Sequence, residues 1–220
     1  MANSGELDAL ATESVDPRYA DIDRLSVAEL ASLMNEADAQ VPAAIRDALP
    51  QIVPAIDAVV ERMRRGGRLI YIGAGTSGRL GILDASEIPP TFSAHPGQVQ
   101  AIIAGGRQAT WAAVEGAEDD ADAGAAAIDA AGVGPLDSVL GLASSGRTPF
   151  VLAGVRRAGA LGALTIGLSC NAGTALSAAV DHAIEVIVGP EVVSGSTRLK
   201  AGTAQKLVLN MISTIAMVQL

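Results

Sequence analysis

The sequence is poor in aromatic residues, histidine and cysteine. Phe, Trp and Tyr make up 2% of 220 residues, and the chain has two histidines and a single cysteine, Cys170. So few aromatics disfavour a surface that stacks nucleic-acid bases. One cysteine cannot form an internal disulfide, and two isolated histidines give no metal-ligand spacing. We therefore expect a protein without disulfides or bound metal, located in the cytoplasm.

Positive charge is also scarce. Fifteen Lys and Arg residues stand against 24 Asp and Glu, which gives a net charge of −9. This balance disfavours a nucleic-acid groove or an anionic membrane surface, but it permits a small anionic ligand in a local pocket. The N-terminus lacks the apolar core of a signal peptide. The longest apolar stretch, residues 207–220, is interrupted by polar residues and falls short of a membrane span.

Residues 68–84, RLIYIGAGTSGRLGILD, have the pattern of a strand, a glycine-rich turn and a helix. Residues 69–72 are strand formers, and the helix is predicted to begin near Leu80. Unpaired N–H groups at a helix start attract anions, and the hydroxyls of Thr76 and Ser77 add donors. The alternative is a purely structural turn. The spacing fits neither the dinucleotide-binding fingerprint nor the Walker loop.

Four further apolar runs alternate with helical stretches, which predicts an α/β fold with a five-stranded parallel sheet and right-handed crossovers. The runs are residues 99–104, 138–142, 163–168 and 183–188, and the helical stretches are residues 108–131, 149–159, 174–180 and 198–220. The last stretch is apolar on most sides. Such a helix needs covering, either by further chain or by a partner.

The N-terminal part precedes this alternation. Residues 1–24 are interpreted as an extended arm, and Ser26 with Glu29 forms a predicted capping box at the start of a helix. Pro42 permits a new helical start, and another helix is expected from about Pro50 to residue 65. The predicted division is an N-terminal arm and helix over residues 1–48, followed by one α/β domain over residues 49–220.

A second loop, ASSGRT at residues 143–148, follows the third strand and repeats the Ser-Gly-Arg of the first loop. Loops after parallel strands gather at the carboxyl edge of the sheet, where ligands bind. Both loops together predict a phosphate site, although Ser and Thr are also ordinary helix-starting residues. The candidate binding residues are Gly75, Thr76, Ser77, Gly78, Ser144, Ser145, Gly146 and Thr148.

Carboxylates are the candidates for chemistry. Glu87 precedes an isoleucine and two prolines, and Glu118 lies in the segment EGAED together with Glu115. Carboxylates serve as acid and base when no histidine is well placed, but solvated helix acids have the same pattern. Cys170 has no evident base nearby and is disfavoured as a nucleophile.

Three other residues are candidates for a packing or an anion-binding role. Trp111 is interpreted as a core or interface aromatic. Arg198 and Lys200 could attract an anion at the start of the last helix, although cations at that end oppose the helix dipole.

Six segments together resemble the N-acetylmuramic acid 6-phosphate etherases, which belong to the sugar-isomerase (SIS) superfamily. They are LIYIGAGTSGRLGILDASEIPPT, IAGG, AVEGAED, ASSGRTPFV, GLSCNAG and GSTRLKAGTAQKLVLNM. The resemblance implies a three-layer α/β/α sandwich with N-terminal helices. It also implies a cytoplasmic, homodimeric enzyme of peptidoglycan recycling that needs no metal or organic cofactor. The family's C-terminal helical subdomain is expected to be absent from this sequence.

The resemblance implies a reaction as well. Family members cleave the lactyl ether of N-acetylmuramic acid 6-phosphate to N-acetylglucosamine 6-phosphate and D-lactate. By resemblance, Glu87 assists the departure of lactate and Glu118 removes the C2 proton, with Glu115 as the alternative base. Ala143 stands where related loops often have serine. A sugar-phosphate isomerase and a non-catalytic sugar-phosphate sensor of the same superfamily are the competing interpretations.

Overall fold

Residues 12–220 are described in the computed structural model, and five short strands in this part of the chain build one parallel sheet. The order across the sheet is β2-β1-β3-β4-β5, so the chain reverses its direction of winding between β1 and β3. The predicted parallel sheet is confirmed. The strands are β1 (Leu69–Gly73), β2 (Val99–Ile103), β3 (Ser138–Leu142), β4 (Leu164–Ser169) and β5 (His182–Glu185).

Helices cover both faces of this sheet, as expected for a three-layer sandwich. They are α1 (Val27–Asp38), α2 (Val41–Arg64), α3 (Gly75–Phe92), α4 (Ala121–Ala130), α5 (Pro149–Ala160) and α6 (Lys200–Gln219). Alternation along β1 directs Tyr71 towards α2, α3 and α6, and directs Ile70 and Ile72 towards α4 and α5. Because both faces are covered, β1, β3 and β4 are buried along their whole length.

The N-terminal elements agree with the sequence only in part. Ser26 Oγ accepts a hydrogen bond from the Glu29 amide, and the Glu29 carboxylate accepts one from the Ser26 amide at 2.8 Å, which confirms the capping box. The predicted helix start near Pro50 is wrong, because α2 runs from Val41 through Pro50 without interruption. Buried residues on both sides of this proline, such as Ile45, hold the helix together against the lost hydrogen bond.

Two predicted helices are much shorter in the structure. Residues 108–131 contain turns and 3₁₀ segments (Gly106–Thr110 and Ala117–Asp119) before α4, partly because Gly116 adopts a positive φ of 72°. Residues 174–180 contain only the 3₁₀ segment Ser177–Ala179. Trp111 lies in the first irregular stretch and is 75% exposed, so it is not a core residue.

Both ends of the described chain pack against the rest of the fold. Residues 1–11 of the predicted arm lie outside the described residues. Tyr19 is buried with Ala37 of α1 and Val192. The last helix, α6, packs against α2 and α3, while Val218 remains 69% exposed. Within residues 12–220, no helix has both the length and the apolar character that crossing a membrane would require.

Candidate active site

The first predicted loop is tighter than expected, because α3 begins at Gly75 instead of near Leu80. Thr76 and Ser77 therefore lie in the first turn of α3, where backbone N–H groups are free to bind a ligand. Gly78 explains this early start. A Cβ at Gly78 would lie 2.6 Å from Cγ1 of Ile103, so only glycine lets the helix approach the sheet here. Tight packing thus overrides the poor helix propensity of the GTSG segment.

The second loop is fixed by hydrogen bonds from outside itself. The Ser144 carbonyl accepts hydrogen bonds from the Cys170 amide at 3.0 Å and from Nδ2 of Asn171 at 2.9 Å. The Ser144 hydroxyl accepts another from Nε2 of Gln205 at 3.1 Å. Gly146 has a positive φ of 65° and packs directly against Thr174, where any side chain would collide.

Both loops line a single cavity of about 220 Å³ at the carboxyl edge of the sheet. It contains six of the eight predicted binding residues and one predicted glutamate. Gly78 and Gly146 are not on its wall, because both pack against neighbouring side chains. Among the described lining residues, none is Lys, Arg or His. The lining residues are Glu13, Ala74, Gly75, Thr76, Ser77, Glu118, Leu142, Ala143, Ser144, Ser145, Thr148 and Thr197.

We call this space the hydroxyl cavity. Five lining residues predicted from the two loops carry hydroxyls, and the wall includes the first turn of α3 and Thr148, the residue that precedes α5. Hydrogen-bond donors at two helix N-termini are suited to a phosphate group. Ser77 is only 7% exposed, so its hydroxyl lies in a site where water competes weakly.

A second cavity, of about 290 Å³, adjoins the hydroxyl cavity and shares Ala74, Gly75 and Glu118 with it. Glu115 also lines this second cavity, because the turn at Gly116 brings both glutamates to the same space. The Arg79 guanidinium is part of the wall, but it donates hydrogen bonds to the carbonyls of Thr110 and Ala112, each at 3.1 Å. Glu118 therefore lies where the hydroxyl cavity and the second cavity meet.

Glu87 lies elsewhere. It is exposed on α3, ten residues after Ser77, which corresponds to about 15 Å along a helix axis. It lines neither cavity. Within one chain, the structure therefore brings Glu118 and the two hydroxyl-bearing loops together but leaves Glu87 three turns away.

The helix that carries Glu87 is anchored by a buried polar cluster. The Asp84 carboxylate accepts hydrogen bonds from the Tyr71 hydroxyl at 2.7 Å, from Nδ2 of Asn210 at 2.6 Å and from the Ser213 hydroxyl at 3.1 Å. Burial, and then the Asp84 charge, raises the pKa of Tyr71 well above its ordinary value. The cluster joins β1, α3 and α6, and so fixes the outward direction of Glu87 one turn later.

Sequence reasoning missed two residues of the hydroxyl cavity, Glu13 and Thr197. Glu13 reaches the wall because the preceding Thr12 is bound to Asn171 by two hydrogen bonds, at 3.0 and 3.3 Å. The Glu13 carbonyl accepts a third hydrogen bond from the Ser194 hydroxyl at 3.1 Å. An isolated Thr-Glu pair in a polar arm carries no periodic signal. The only relevant feature in the sequence is that the Thr12 hydroxyl can form a hydrogen bond that holds the arm against the domain.

Several other candidates can be set aside. Cys170 is fully buried, and burial raises the pKa of its thiol to about 12, so it is not a nucleophile.

The expectation that Lys200 attracts an anion is wrong. The residue is 1% exposed, its ammonium donates a hydrogen bond to the Val188 carbonyl at 2.7 Å, and its backbone amide donates one to the Glu191 carboxylate. Among residues 12–220, no three His, Cys, Asp or Glu side chains are grouped to hold a metal ion.

Comparison with known proteins adds to this geometry. Residues 51–158 match the family model of the glucokinase regulatory protein N-terminal SIS domain, and residues 120–215 match the SIS domain. A protein from Streptomyces avermitilis is 57% identical over 215 residues, which cover 98% of this chain and 69% of that protein. A protein from Rubrobacter xylanophilus is 58% identical over 214 residues, covering 97% and 71%. Both are named N-acetylmuramic acid 6-phosphate etherase.

The chain belongs to the N-acetylmuramic acid 6-phosphate etherase family. Solved structures support its SIS fold independently. A phosphoheptose isomerase from Francisella tularensis has a TM-score of 0.63 at 21% identity, covering 87% of this chain and 98% of that one. A phosphoheptose isomerase from Neisseria gonorrhoeae has a TM-score of 0.60 at 16% identity, covering 86% and 96%.

Proposed function

We propose that this etherase-family chain cleaves the D-lactyl ether of N-acetylmuramic acid 6-phosphate during cytoplasmic recycling of peptidoglycan sugars. The products are N-acetylglucosamine 6-phosphate and D-lactate. The observation that carries the proposal is the hydroxyl cavity, in which phosphate donors from two loops adjoin Glu118. The sequence identity with the named etherases supports the same substrate.

The phosphate is assigned to the hydroxyl cavity. Thr76, Ser77, Ser145 and Thr148 line it with hydroxyl-bearing side chains, and the first turn of α3 offers backbone N–H groups. Each hydrogen bond to a charged group contributes about 1.5–3 kcal/mol. A neutral set of donors can therefore hold the phosphate without a lysine or arginine.

Glu118 is assigned to the C2 proton of the open-chain sugar. The aldehyde at C1 acidifies this proton, and a carboxylate within reach of both cavities is the suitable base. The electrons of the C2–H bond first pass to the C1 aldehyde to form an enolate. The enolate then forms a C2–C3 double bond as the C3–O bond breaks, and lactate leaves as its ether oxygen is protonated. Water then adds to C3, and C2 regains a proton, so the net change is hydrolysis of the ether.

Glu87 is assigned to protonation of the leaving lactate, and this role requires a second copy of the chain. Its own cavity lies about three helical turns away, so its carboxylate can act only on a substrate held by a partner. The neighbouring Leu83 is 52% exposed on the same face of α3, where a partner subunit would cover it. We therefore propose a homodimer with active sites shared between subunits.

Glu115 is the competing second carboxylate. It lines the same cavity as Glu118 and needs no partner. If Glu115 were the acid, each chain would hold a complete site. Comparing Glu87→Gln with Glu115→Gln therefore separates a shared site from a self-contained one.

The test is incubation of the full-length protein with N-acetylmuramic acid 6-phosphate, followed by enzymatic detection of D-lactate. Lactate release, with N-acetylglucosamine 6-phosphate as co-product, is expected. A folded protein that releases no lactate would contradict the proposed function. Formation of a ketose phosphate without ether loss would instead favour the isomerase.

A further inference from the structure

A third cavity, of about 230 Å³, lies between the first turns of α3 and α6. Its walls carry two cations, Arg198 and Lys206, and it shares Thr76 with the hydroxyl cavity. We call it the basic cavity. The remaining lining residues are Leu80, Gly202 and Thr203.

The charge of the basic cavity is unusual for this protein. The chain has a net charge of −9, yet no Asp or Glu is among the described residues that line this cavity. Within residues 12–220, neither Arg198 nor Lys206 has an ion-pair partner. Two exposed cations facing one space, without a carboxylate between them, form a local site for an anion.

The basic cavity differs from the hydroxyl cavity in the anion it suits. The hydroxyl cavity is enclosed by short neutral donors and helix starts, which fit a compact phosphate. Arg198 instead offers a planar guanidinium on a long side chain, which can bind a carboxylate through two parallel hydrogen bonds. Because Thr76 borders both spaces, one ligand with two anionic ends could occupy both.

We propose that the basic cavity binds the carboxylate of the lactyl group while the hydroxyl cavity holds the phosphate. This inference rests on the proposed function, whose substrate carries both anions. It makes Arg198 and Lys206 specificity residues, because ordinary sugar phosphates lack the second anion. The product N-acetylglucosamine 6-phosphate lacks the lactyl carboxylate, so the basic cavity should not contribute to its binding affinity.

The test compares substrate and product in the full-length enzyme with Arg198→Gln and Lys206→Gln. We expect the KM for N-acetylmuramic acid 6-phosphate to rise about fivefold to tenfold for Arg198→Gln, and less for Lys206→Gln. The Kd for N-acetylglucosamine 6-phosphate, measured by calorimetry, should change less than about twofold, since its only anion lies elsewhere. Inhibition by added D-lactate should weaken in parallel with the rise in KM.

Two controls separate charge from structure. Arg198→Lys keeps the charge and should recover part of the lost substrate affinity. Arg46→Gln removes an exposed cation from α2 and should change neither constant.

Two outcomes would overturn the inference. An unchanged KM in both cavity variants would mean that the lactyl carboxylate is bound elsewhere. Equal losses for substrate and product would mean that the basic cavity serves the phosphate or the sugar. Lactate release by the parent enzyme is scored separately. Its absence would count against the proposed function itself, whereas an active parent with unaffected variants would refute only the carboxylate site.

Discussion

Glu118 and Glu87 have contrasting positions, although both lie in segments that resemble etherase motifs. Glu118 borders two adjoining cavities beside the hydroxyl-bearing loops, whereas Glu87 is exposed on the outer face of α3. Described residues of one chain form both cavities beside Glu118. The surroundings of Glu87 are solvent, next to the exposed apolar side chain of Leu83. On the proposed roles, one folded chain supplies the phosphate site and the base, while Glu87 acts on a substrate held by a partner.

The largest expected effect is the loss of Glu118. Replacing it with Gln should lower lactate release by about 10²–10⁴-fold, because a positioned general base contributes rate enhancements of that size. Exchange of the C2 hydrogen with heavy water should stop as well, since no enolate can form. The readouts are NMR loss of the C2 proton signal and an enzymatic lactate assay. Normal exchange in this variant would assign the base elsewhere, with Glu115 as the next candidate.

Glu87→Gln should separate the two steps. It cannot donate a proton to the ether oxygen, so lactate release should fall by at least about 100-fold while C2 exchange continues. The same pair of assays measures both. If C2 exchange stops in Glu87→Gln but continues in Glu118→Gln, then Glu87 is the base and Glu118 is the acid.

Leu83→Asp should disturb the proposed subunit contact without touching the hydroxyl cavity. A buried charge at an apolar contact is costly, so we expect dissociation to monomers and at least a tenfold loss of lactate release. Binding of inorganic phosphate should remain within about twofold of the parent, because the hydroxyl cavity belongs to one chain. Sedimentation and calorimetry measure the two effects.

Ala126→Asp, on the exposed face of α4, is the matched control and should leave both the assembly and the activity intact. A fully active Leu83→Asp monomer would contradict the shared site.

A smaller effect is expected within the hydroxyl cavity. Replacing Ser77 or Ser145 with Ala should weaken sugar-phosphate binding by about 1–3 kcal/mol, because each loses a hydrogen bond to a charged group. Unchanged affinity in both variants would mean that the phosphate binds outside this cavity. Calorimetric titration with N-acetylglucosamine 6-phosphate is the measurement.

The smallest effect on function is expected at the opposite edge of the sheet, where Asp137 and Arg68 form an ion pair at 2.6 Å. Burial by itself raises the pKa of Asp137, but hydrogen bonds from Arg68 and Gly134 outweigh it and hold the pKa below its ordinary value. This contribution to stability is therefore present above about pH 4 and is lost as the pH falls further.

Asp137→Asn should lower the free energy of unfolding by about 1–3 kcal/mol at pH 7, with activity of the folded enzyme unchanged. The difference from the parent should shrink below about pH 4 in urea titrations. A constant difference across this range would show that the ion pair is not its cause.

Much of the fold follows from the sequence because its signals are local. The apolar run of β1, the capping box at Ser26 and the Ser-rich loop after β3 were all readable in this way. The continuous helix through Pro50 was not, because buried residues on both sides of the proline outweigh its local penalty. The early start of α3 was missed for a similar reason. It depends on close packing of Gly78 against Ile103, which local helix propensity does not reveal.

The site was predictable where loops follow strands, and less so elsewhere. Thr76, Ser77 and Ser145 could be grouped because parallel strands bring their loops to one edge. Glu13 could not, since its place on the cavity wall depends on hydrogen bonds between Thr12 and Asn171, which are far apart in sequence. Sequence also pairs Glu87 with Glu118 by motif, but motif order carries no information about the distance between them.

Mixed dimers test the shared site most directly. Glu87→Gln and Glu118→Gln chains, each inactive alone, are given different affinity tags, co-expressed and purified as the heterodimer. In a two-fold symmetric dimer with shared sites, one of the two sites then contains both native glutamates. Lactate release at about half the parent rate per dimer is therefore expected. No recovery above the separate variants would contradict the shared site and would place both carboxylates within a single chain.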